Sequence, residues 1–417
     1  MPTQPLRILV SGASVAGPTT AYWLARQGFA VTVVERMPLA RVRTGGHAVD
    51  LFGPAMDVAE WTGVLPEVME ARTRTEVLEF HRAGARPVEV DLRQLMAGIS
   101  SKHVEVMRGE LAGILYDAGR DQVEYVFEDS IRTLEQRADD VAVTFEHGPE
   151  RTFDLVVGAD GLHSVVRRLA FGPEEAFRNF LGGYLTIFSL PDYLNLENWM
   201  MVHNAPGRLA AVYPVPGAGG TARGGFLFRR PAELPVDHRD VSGQKRILHE
   251  IYGSDGWEVP RLLHEMDTAA DFYFDSISQI VLQSWSTGRA TLVGDAGYSP
   301  GPAVGGGTSL ALVGGYVLAE ELARAGADHA RGLRAYEERM RQLVVRSRAI
   351  GPTTMNLLIP RTARQVRVIP QLMRVVTRLP APVQRRVSSL QATPARALGA
   401  IDLRPPPREP EQRSIAS

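Results

Sequence analysis

The stretch Arg7–Arg36, RILVSGASVAGPTTAYWLARQGFAVTVVER, decides the fold of this chain. A short apolar run predicts a strand, a glycine-rich turn leads into a helical pattern, and a second apolar run ends at Glu35. Gly12 allows a sharp turn out of the first strand, and Gly17 allows helix and strand to pack closely. The N–H groups at the helix start would then face a pyrophosphate, with Glu35 placed to accept hydrogen bonds from a ribose. The pattern predicts a dinucleotide site; the alternative is an ordinary strand–helix–strand crossover with a glycine-rich turn.

Composition limits the classes of function that remain. The 417 residues are enough for one large or two modest domains, and 44% hydrophobic with 22% charged residues is typical of a globular protein. A net charge of −1 gives no reason to expect nucleic acid as a partner. The chain has no cysteine, which excludes disulfides, thiolate nucleophiles and iron–sulfur clusters, and no metal centre is predicted.

The two ends of the sequence bear on location. The first residues lack a charged-then-apolar signal pattern, and no apolar run reaches the ~18 residues of a membrane span, so we expect a cytoplasmic protein. Near the other end, no Asp or Glu occurs between Met340 and Ile401. We expect this arginine-rich segment to pack across the protein with its arginines in water rather than to contact a membrane.

A second cluster lies at Phe153–Arg167, FDLVVGADGLHSVVR. A buried strand ends at Gly158, Asp160 and Gly161 form a turn, and a helix follows. In a parallel sheet this is again the carboxyl edge, where ligands bind.

A third cluster lies at Gly288–Leu312, where a strand ends in Gly294-Asp295 and a triple glycine enters a helix. Glycines permit close backbone approach to a flat ring, and the helix start offers N–H donors to a developing anion. The cluster therefore predicts a ligand at the same edge. Its loop residues are Pro302, Gly305, Gly306 and Gly307.

Between these clusters the sequence predicts a mostly antiparallel sheet, because aromatic and β-branched runs alternate with proline and glycine from Phe180 to Gln283. A hairpin around Gly84 belongs to the same part. One face of this sheet could line a substrate cavity. The alternative, that the aromatics are core, stays open for the candidate lining residues Phe188, Met200, Tyr213, Phe226 and Phe228.

Charged residues outside the glycine motifs provide further candidates. Arg43 could neutralise a phosphate, Asp50 could accept from a cofactor hydroxyl, and Arg108 stands where a strand meets a helix. His47 is a candidate substrate contact. With His203, it is also a possible acid–base group, although a lone histidine is more often structural.

The three clusters, in this order and at this spacing, resemble the single-component (class A) flavin monooxygenases of the p-hydroxybenzoate hydroxylase fold, nearest the tetracycline-modifying members. The resemblance spans about residues 6–345 and implies FAD. By position, it implies that the ADP part lies on Gly12, Ser14, Val15, Ala16, Gly17, Glu35 and Arg36. It places Arg108 and Asp295 at the ribityl–pyrophosphate region, and Asp50 and Arg43 near the ring or the nicotinamide approach. It places Pro302 with Gly305 to Gly307 along the isoalloxazine. Asp160 belongs to a motif that the family uses for both FAD and NADPH.

Four positions depart from the family pattern. Ser14 replaces a glycine, Tyr298 stands where many members have His, Gly306 replaces a frequent Gln, and Gly314 stands near a frequent acidic residue. These departures put the details of flavin contact in question, not FAD itself.

The expected fold is α/β, with a Rossmann-like FAD-binding domain (a parallel sheet plus a β-meander), an inserted, mostly antiparallel substrate domain, and C-terminal helices. The expected boundaries are 1–74, 103–179 and 283–345 for FAD binding, 75–102 and 180–282 for the substrate domain, 346–403 for the helices, and 404–417 for a disordered tail.

The implied reaction uses transiently bound NADPH or NADH to reduce the flavin, followed by O2 and a flavin C4a-hydroperoxide. One oxygen atom would enter an aromatic or polyketide-like small molecule, and no side-chain nucleophile is needed. We expect a monomer or homodimer. The alternatives are a halogenase or reductase on the same fold, or a non-catalytic flavoprotein; the halogenase Trp-x-Trp-x-Ile-Pro string is absent, and lysine is nearly so.

Overall fold

The structure, a computed structural model, describes residues 5–100, 102–217, 219–237, 239–302, 305–380, 383–384, 397, 399 and 401–406. Its strands are β1 (Arg7–Ser11), β2 (Ala30–Glu35), β3 (Ala48–Phe52), β4 (Val77–His81), β5 (Val88–Asp91), β6 (His103–Met107), β7 (Glu124–Phe127), β8 (Ile131–Gln136), β9 (Val141–Phe145), β10 (Arg151–Phe153), β11 (Leu155–Gly158), β12 (Arg178–Pro191), β13 (Trp199–Ala205), β14 (Arg208–Pro214), β15 (Thr221–Arg229), β16 (Tyr273–Ile280), β17 (Ser286–Thr287) and β18 (Ala290–Leu292). Its helices are α1 (Ala16–Arg26), α2 (Leu39–Thr44), α3 (Gly53–Thr62), α4 (Leu65–Glu70), α5 (Leu92–Ile99), α6 (Arg108–Gly119), α7 (Val165–Ala170), α8 (Val241–Tyr252), α9 (Val259–Thr268), α10 (Asp295–Tyr298), α11 (Gly307–Ala325), α12 (His329–Leu358) and α13 (Ala363–Thr377).

A six-stranded sheet, which we call the first sheet, is built on the opening strand–helix–strand unit. Its order is β17-β18-β11-β1-β2-β7, and every pair is parallel except β17 with β18. The near-continuous apolar sequence of β1 and β11 fits strands that are covered on both sides. Because β1, β2, β11 and β18 run in the same direction, the three sequence clusters meet at one edge of this sheet.

A seven-stranded sheet, the second sheet, has the order β16-β12-β15-β14-β13-β4-β5. It is antiparallel except between β13 and β4. The hairpin predicted around Gly84 consists of β4 and β5, and it forms one end of this sheet. A separate three-stranded meander, β8 to β10, lies between the two halves of the nucleotide-binding sequence. The expected mixed α/β fold is thus confirmed.

The two faces of the second sheet have different neighbours. We call the face under α8 and α9 the outer face; its core includes Phe188, Phe226, Leu248 and Leu263. The opposite, inner face packs against α12 and α13, through residues such as Met355. The inner face also contacts α2, since Arg223 of β15 donates to the backbone oxygen of Thr44 at the end of that helix, 3.1 Å away.

The helix that follows the triple glycine, α11, packs the C-terminal part of the nucleotide-binding sequence against its N-terminal part. α11 is buried along most of its length and packs against α1, α3 and α12. α12 spans thirty residues, and Asp328 caps its start by accepting from the N–H of Arg331. Most of the expected disordered tail, residues 407–417, lies outside the described residues.

Candidate active site

The turn after β1 has the tight geometry that its glycines predicted. Gly12 adopts a φ of +103°, and a Cβ there would lie 2.6 Å from the oxygen of Ala159. A Cβ on Gly17 would lie 1.8 Å from the oxygen of Gly12. Neither position can accept a side chain without moving backbone, so the start of α1 is held against the ends of β1 and β11.

Glu35 ties the end of β2 to this turn. One carboxylate oxygen accepts from the N–H of Ala13 at 2.7 Å, and the other accepts from the N–H of Met37 at 2.8 Å. No side chain caps the start of α1, where Val15 is the N-cap residue. The helix start therefore keeps its positive end for a ligand. Ser14, Ala16 and Arg36 lie on the same edge, and Arg36 is exposed.

Asp160 joins the second cluster to the first. Its carboxylate accepts from the hydroxyl groups of Ser11 and Ser164, at 3.3 and 2.5 Å, and from the N–H groups of Val165 and Val166. Burial raises the pKa of Asp160, and these donors oppose the rise. The carboxylate thus caps α7 and fixes the ends of β1 and β11 relative to each other.

The third cluster lies across the start of α1. A Cβ on Gly294 would approach the Cβ of Ala16 to 3.2 Å, and Asp295 follows with its side chain open to solvent. The surrounding protein nevertheless desolvates the carboxylate and so raises the pKa of Asp295, while a hydrogen bond from Ser299 and the charge of Arg108 oppose the rise. Gly306, in the left-handed region at φ +82°, lets the chain enter α11. Pro302, Gly305 and Gly307 flank Ala303 and Val304, which lie outside the described residues.

Two of the four departures from the family pattern fit each other. The Tyr298 hydroxyl lies 2.9 Å from that of Tyr336, which donates to the oxygen of Leu292. A Cβ on Gly314 would lie only 2.0 Å from the Tyr298 oxygen. The larger residue after Gly294-Asp295 is therefore accommodated by a glycine on the facing turn of α11.

Arg108 and His47 lie close to each other and to Arg223 of the second sheet. A Cβ on Gly46 would come within 2.5 Å of the Arg108 Nε, so the Arg108 side chain crosses that backbone. Burial, with the charges of Arg108 and Arg223, lowers the pKa of His47 to about 3. His47 is therefore neutral at physiological pH and can offer hydrogen bonds but not a charge. Its place beside Arg108 agrees with its candidacy as a substrate contact.

Arg43 and Asp50 have protein partners in this structure. Arg43 makes a two-pronged ion pair with Asp117 of α6, at 2.6 and 3.1 Å. Asp50 is hydrogen-bonded to the Nε2 of His103 at 2.7 Å. These contacts fasten α2 to α6 and β3 to β6. Both side chains therefore hold elements of the site wall together through these contacts, and their expected place near the cofactor stays a prediction.

Sequence reasoning missed a charged cluster on the inner face. Arg223 is bonded to Ser189 and to Asp271, and Asp271 also accepts from the N–H of Ser189 at 2.8 Å. The Nε of Arg223 is buried without a hydrogen-bond partner among the described residues. The available signal was an arginine within the otherwise apolar strand β15, at a position that alternates with the outer-face residues Phe226 and Phe228.

A second missed group begins at Tyr273, whose hydroxyl donates to Asp275 at 3.0 Å. Asp275 also bonds the Nε2 of His163 at 2.9 Å, and the Nδ1 of His163 bonds Glu174 at 3.0 Å. These two carboxylates raise the pKa of His163 to about 9, so it is a cation at neutral pH. Tyr273 is 40% exposed and close enough to Arg108 and Asp295 for their charges to act on its pKa. We call the accessible region defined by Arg108, Tyr273 and Asp295 the groove.

Glu105 of β6 is a further buried acid beside this region. Burial and the nearby charge of Asp50 raise the pKa of Glu105 to about 7, while a hydrogen bond from Thr73 and the charge of His103 oppose the rise. With a pKa of about 7, the Glu105 carboxyl group can be protonated or ionised near neutral pH.

The predicted aromatic lining is wrong for three residues. Phe188, Phe226 and Phe228 are at most 1% exposed and belong to the core of the outer face, under α8 and α9. Along each strand, the residues that alternate with the outer-face residues point inward. Met200 of β13 and Tyr213 of β14 are among these inward residues. Met200 packs in the inner-face core, while burial and the Glu105 charge raise the pKa of Tyr213.

His203 also lies away from the groove. Its ring stacks on Trp257 at 5.7 Å, in a cleft of about 650 Å³ near the turns of the second sheet. Of the two histidines considered for acid–base chemistry, only His47 is placed with the groove.

The residues present fit FAD. Gly12 and Gly17 form a cradle that a Cβ would fill, and α1 presents an uncapped start to it. Arg108, exposed and without an ion pair among the described residues, supplies a cation beside Asp295. A flat ring would then pass toward the glycines that open α11.

Comparisons with known proteins agree with this geometry. Residues 6–351 match the FAD binding domain family. An uncharacterized protein of Mycobacterium tuberculosis is 44% identical over 342 residues, covering 82% of this chain and 91% of the relative. A flavin-dependent monooxygenase of Legionella longbeachae is 38% identical over 346 residues, covering 83% and 88%. The crystal structure of tetracycline destructase Tet(51) superimposes with a TM-score of 0.78 at 35% identity, covering 90% of this chain and 99% of that one.

The fold and site therefore define a flavoprotein oxidoreductase. The chain belongs to the FAD binding domain family, and it is an FAD-dependent monooxygenase. The expected family, enzyme class and cofactor are confirmed.

Proposed function

We propose that the protein uses NADPH or NADH and O2 to insert one oxygen atom into an aromatic or polyketide-like polycyclic molecule. Bound FAD would accept a hydride from the nicotinamide and activate O2. The observation that best supports this proposal is that the loops after β1, β11 and β18 converge beside one groove, which the inner face of the second sheet borders.

The chain's own residues would divide the work as follows. The Gly12–Gly17 turn and Glu35 would hold the ADP part of FAD, and Arg108 and Asp295 the part between phosphate and ring. The start of α11 supplies positive potential for a reduced, anionic ring. His47, being neutral, would orient a substrate hydroxyl or carbonyl without transferring a proton at neutral pH.

The substrate class is supported by two observations. The inner face carries aliphatic residues, and it presents the polar side chains of Arg223 and Tyr273 near the groove, as suits a flat molecule with oxygen substituents. The structural neighbour Tet(51) is a tetracycline destructase at 35% identity. We therefore include tetracyclines, beside simple phenols and anthraquinones, in the compounds to be tested.

The test is product analysis with labelled oxygen gas. The FAD-loaded protein is mixed with NADPH or NADH and each compound under ¹⁸O₂, and nucleotide oxidation, peroxide release and product mass are measured. The proposal expects nucleotide oxidation that rises with one compound and a product carrying one ¹⁸O atom. Stoichiometric peroxide with no labelled product for any compound would instead indicate a flavoprotein without oxygen transfer, and a product lacking the label would indicate a reductase.

Met200 and Met201 provide a matched pair for the substrate face. They are adjacent on β13, but Met200 packs on the inner face and Met201 on the outer face. Met200→Ala should change KM for the converted compound several-fold, whereas Met201→Ala should leave KM unchanged. Equal effects on KM would contradict the assignment of the inner face to the substrate.

A further inference from the structure

Exposed aliphatic side chains are concentrated in one short part of the chain. Of the eleven large hydrophobic side chains exposed among the described residues, six lie between Val345 and Val383. Three of them are on α13, namely Val368, Leu372 and Val375, with exposures of 40%, 58% and 56%. Spacings of four and three residues place them on one face of the helix.

The opposite face of α13 is firmly packed, so this stripe is not the frayed end of a loose segment. Val366, Pro370 and Thr377 are buried, and the helix packs against β5, β13 and α5. A capping box formed by Thr362 and Gln365 fixes its start. The helix is therefore held in an orientation that keeps its aliphatic stripe toward solvent.

Arginines flank the stripe along one side of the helix. Arg364, Arg367 and Arg378 are exposed, Arg374 is half-exposed, and none of the four makes an ion pair within the described part of the chain. The sequence from Met340 to Ile401 contains eleven Arg and no Asp or Glu, although the whole chain has a net charge of −1. The helix face thus combines exposed aliphatic surface with a strong local positive charge.

We propose that this face of α13 docks the protein onto the surface of an anionic lipid bilayer. An interfacial helix buries its aliphatic stripe at the level of the acyl chains, while its arginines meet the anionic headgroups. Nucleic acid would satisfy the charge but would leave Val368, Leu372 and Val375 in water. No helix within the described ranges is long and apolar enough to span a membrane, so the attachment is peripheral. The sequence-based expectation of solvated arginines without membrane contact is replaced by this proposal.

The experiment uses the full-length, FAD-loaded protein and sedimented vesicles. Vesicles of phosphatidylcholine with 30% phosphatidylglycerol (about the anionic fraction at which surface charge is substantial) are compared with pure phosphatidylcholine. Binding should be at least about tenfold stronger to the anionic vesicles and should weaken as salt is raised. Equal binding to both, or none to either, would overturn the proposal.

Two pairs of variants separate the aliphatic and cationic contributions. Leu372→Ser with Val375→Ser should lower the vesicle partition coefficient about tenfold, whereas Val241→Ser with Val281→Ser, both 44% exposed elsewhere, should leave it unchanged. Arg364→Gln with Arg378→Gln should likewise weaken binding. The matched controls Arg246→Gln and Arg334→Gln, exposed on α8 and α12, should not.

Flavin absorbance and thermal unfolding of each variant show whether it is folded. Light scattering distinguishes the other occupant of such a face, a second copy of the chain. If the native protein is a dimer, the Leu372/Val375 variant is a monomer, and neither binds vesicles, the face is a self-interface and the proposal is wrong. A stable, flavin-loaded Leu372/Val375 variant that binds vesicles as well as the native protein also overturns it.

Discussion

The contact between Tyr298 and Gly314 yields a sharp prediction about the stability of the third cluster. Replacing Gly314 with Ala would place a Cβ 2.0 Å from the Tyr298 hydroxyl oxygen. Overpacking costs roughly 1–3 kcal/mol, and a contact as short as 2.0 Å puts the cost at about 3 kcal/mol, of which a Gly-to-Ala change inside a helix returns about 1 kcal/mol. Because both residues are buried, we expect Gly314→Ala to lower the free energy of unfolding by about 2 kcal/mol.

Removing the hydroxyl should remove most of that cost. Tyr298→Phe alone loses one buried hydrogen bond to Tyr336, worth about 1 kcal/mol. In that background, the nearest atom to the new Cβ is the ring Cζ at 3.3 Å, a tight but tolerable contact. Gly314→Ala should then be nearly neutral, which gives a coupling of about 2 kcal/mol between the two positions.

Urea unfolding followed by tryptophan fluorescence measures this cycle. Trp285 reports on the region directly, since its ring centroid lies 4.7 Å from that of Tyr298. Gly315→Ala is the matched control: its Cβ would meet Thr20 on α1, at 2.7 Å, and not Tyr298. Its cost should be the same with Tyr or Phe at position 298. If the cost of Gly314→Ala is also the same in both backgrounds, the proposed steric pairing is refuted.

Three further predictions address the cofactor cradle, an ion cluster and the sheet faces. Gly17→Ala should weaken FAD affinity about a hundredfold, the equivalent of ~3 kcal/mol of backbone displacement, in a titration of the apoprotein; Gly256→Ala, with open space around its Cβ, should change it little. Because the folded pKa of His163 is raised from 6.5 to about 9, its ion pairs stabilise the protein fully below pH 6.5 and are lost as pH rises through 9. His163→Gln should therefore cost about 2 kcal/mol at pH 6, after screening of a partly exposed group, and little at pH 10 in urea unfolding; a pH-independent cost would contradict the pairing. Phe188→Ala should cost about 3–4 kcal/mol in stability yet leave KM unchanged, and a KM effect with normal stability would return Phe188 to the substrate face.

Local sequence was sufficient for the cofactor edge. Gly12 and Gly17 are required by contacts within one strand–turn–helix unit, so their spacing alone carries the geometry. Glu35 and Asp160 could be placed because parallel strands bring their carboxyl ends to one edge. The same argument brought Asp295 to that edge from more than a hundred residues away. These inferences need only strand direction, which hydrophobic pattern and connection length give.

The faces of the second sheet could not be read in the same way. Alternation along a strand separates two sets of residues but does not say which set meets which neighbour. Both faces here pack against helices, one against α8 and α9 and the other against α12 and α13, so both sets are largely apolar. The large aromatics Phe188, Phe226 and Phe228 fill the outer core. The inward set is marked instead by single polar residues, Arg223 and Tyr273, that a pattern based on hydrophobicity overlooks.

Charged residues were the least predictable, because their roles depend on partners distant in sequence. Arg43 is of a residue type that often binds phosphate. In the structure, however, its Nη2 lies 2.6 Å from the Oδ2 of Asp117 on α6. Arg108, in contrast, makes no ion pair with any residue that the structure describes, and its side chain lies across the backbone of Gly46. The difference between a positioning arginine and a ligand-binding one is therefore set by which acids the fold brings near. The same reasoning applies to α13, where the absence of any acidic residue over sixty positions leaves its exposed arginines with no partner in the sequence around them.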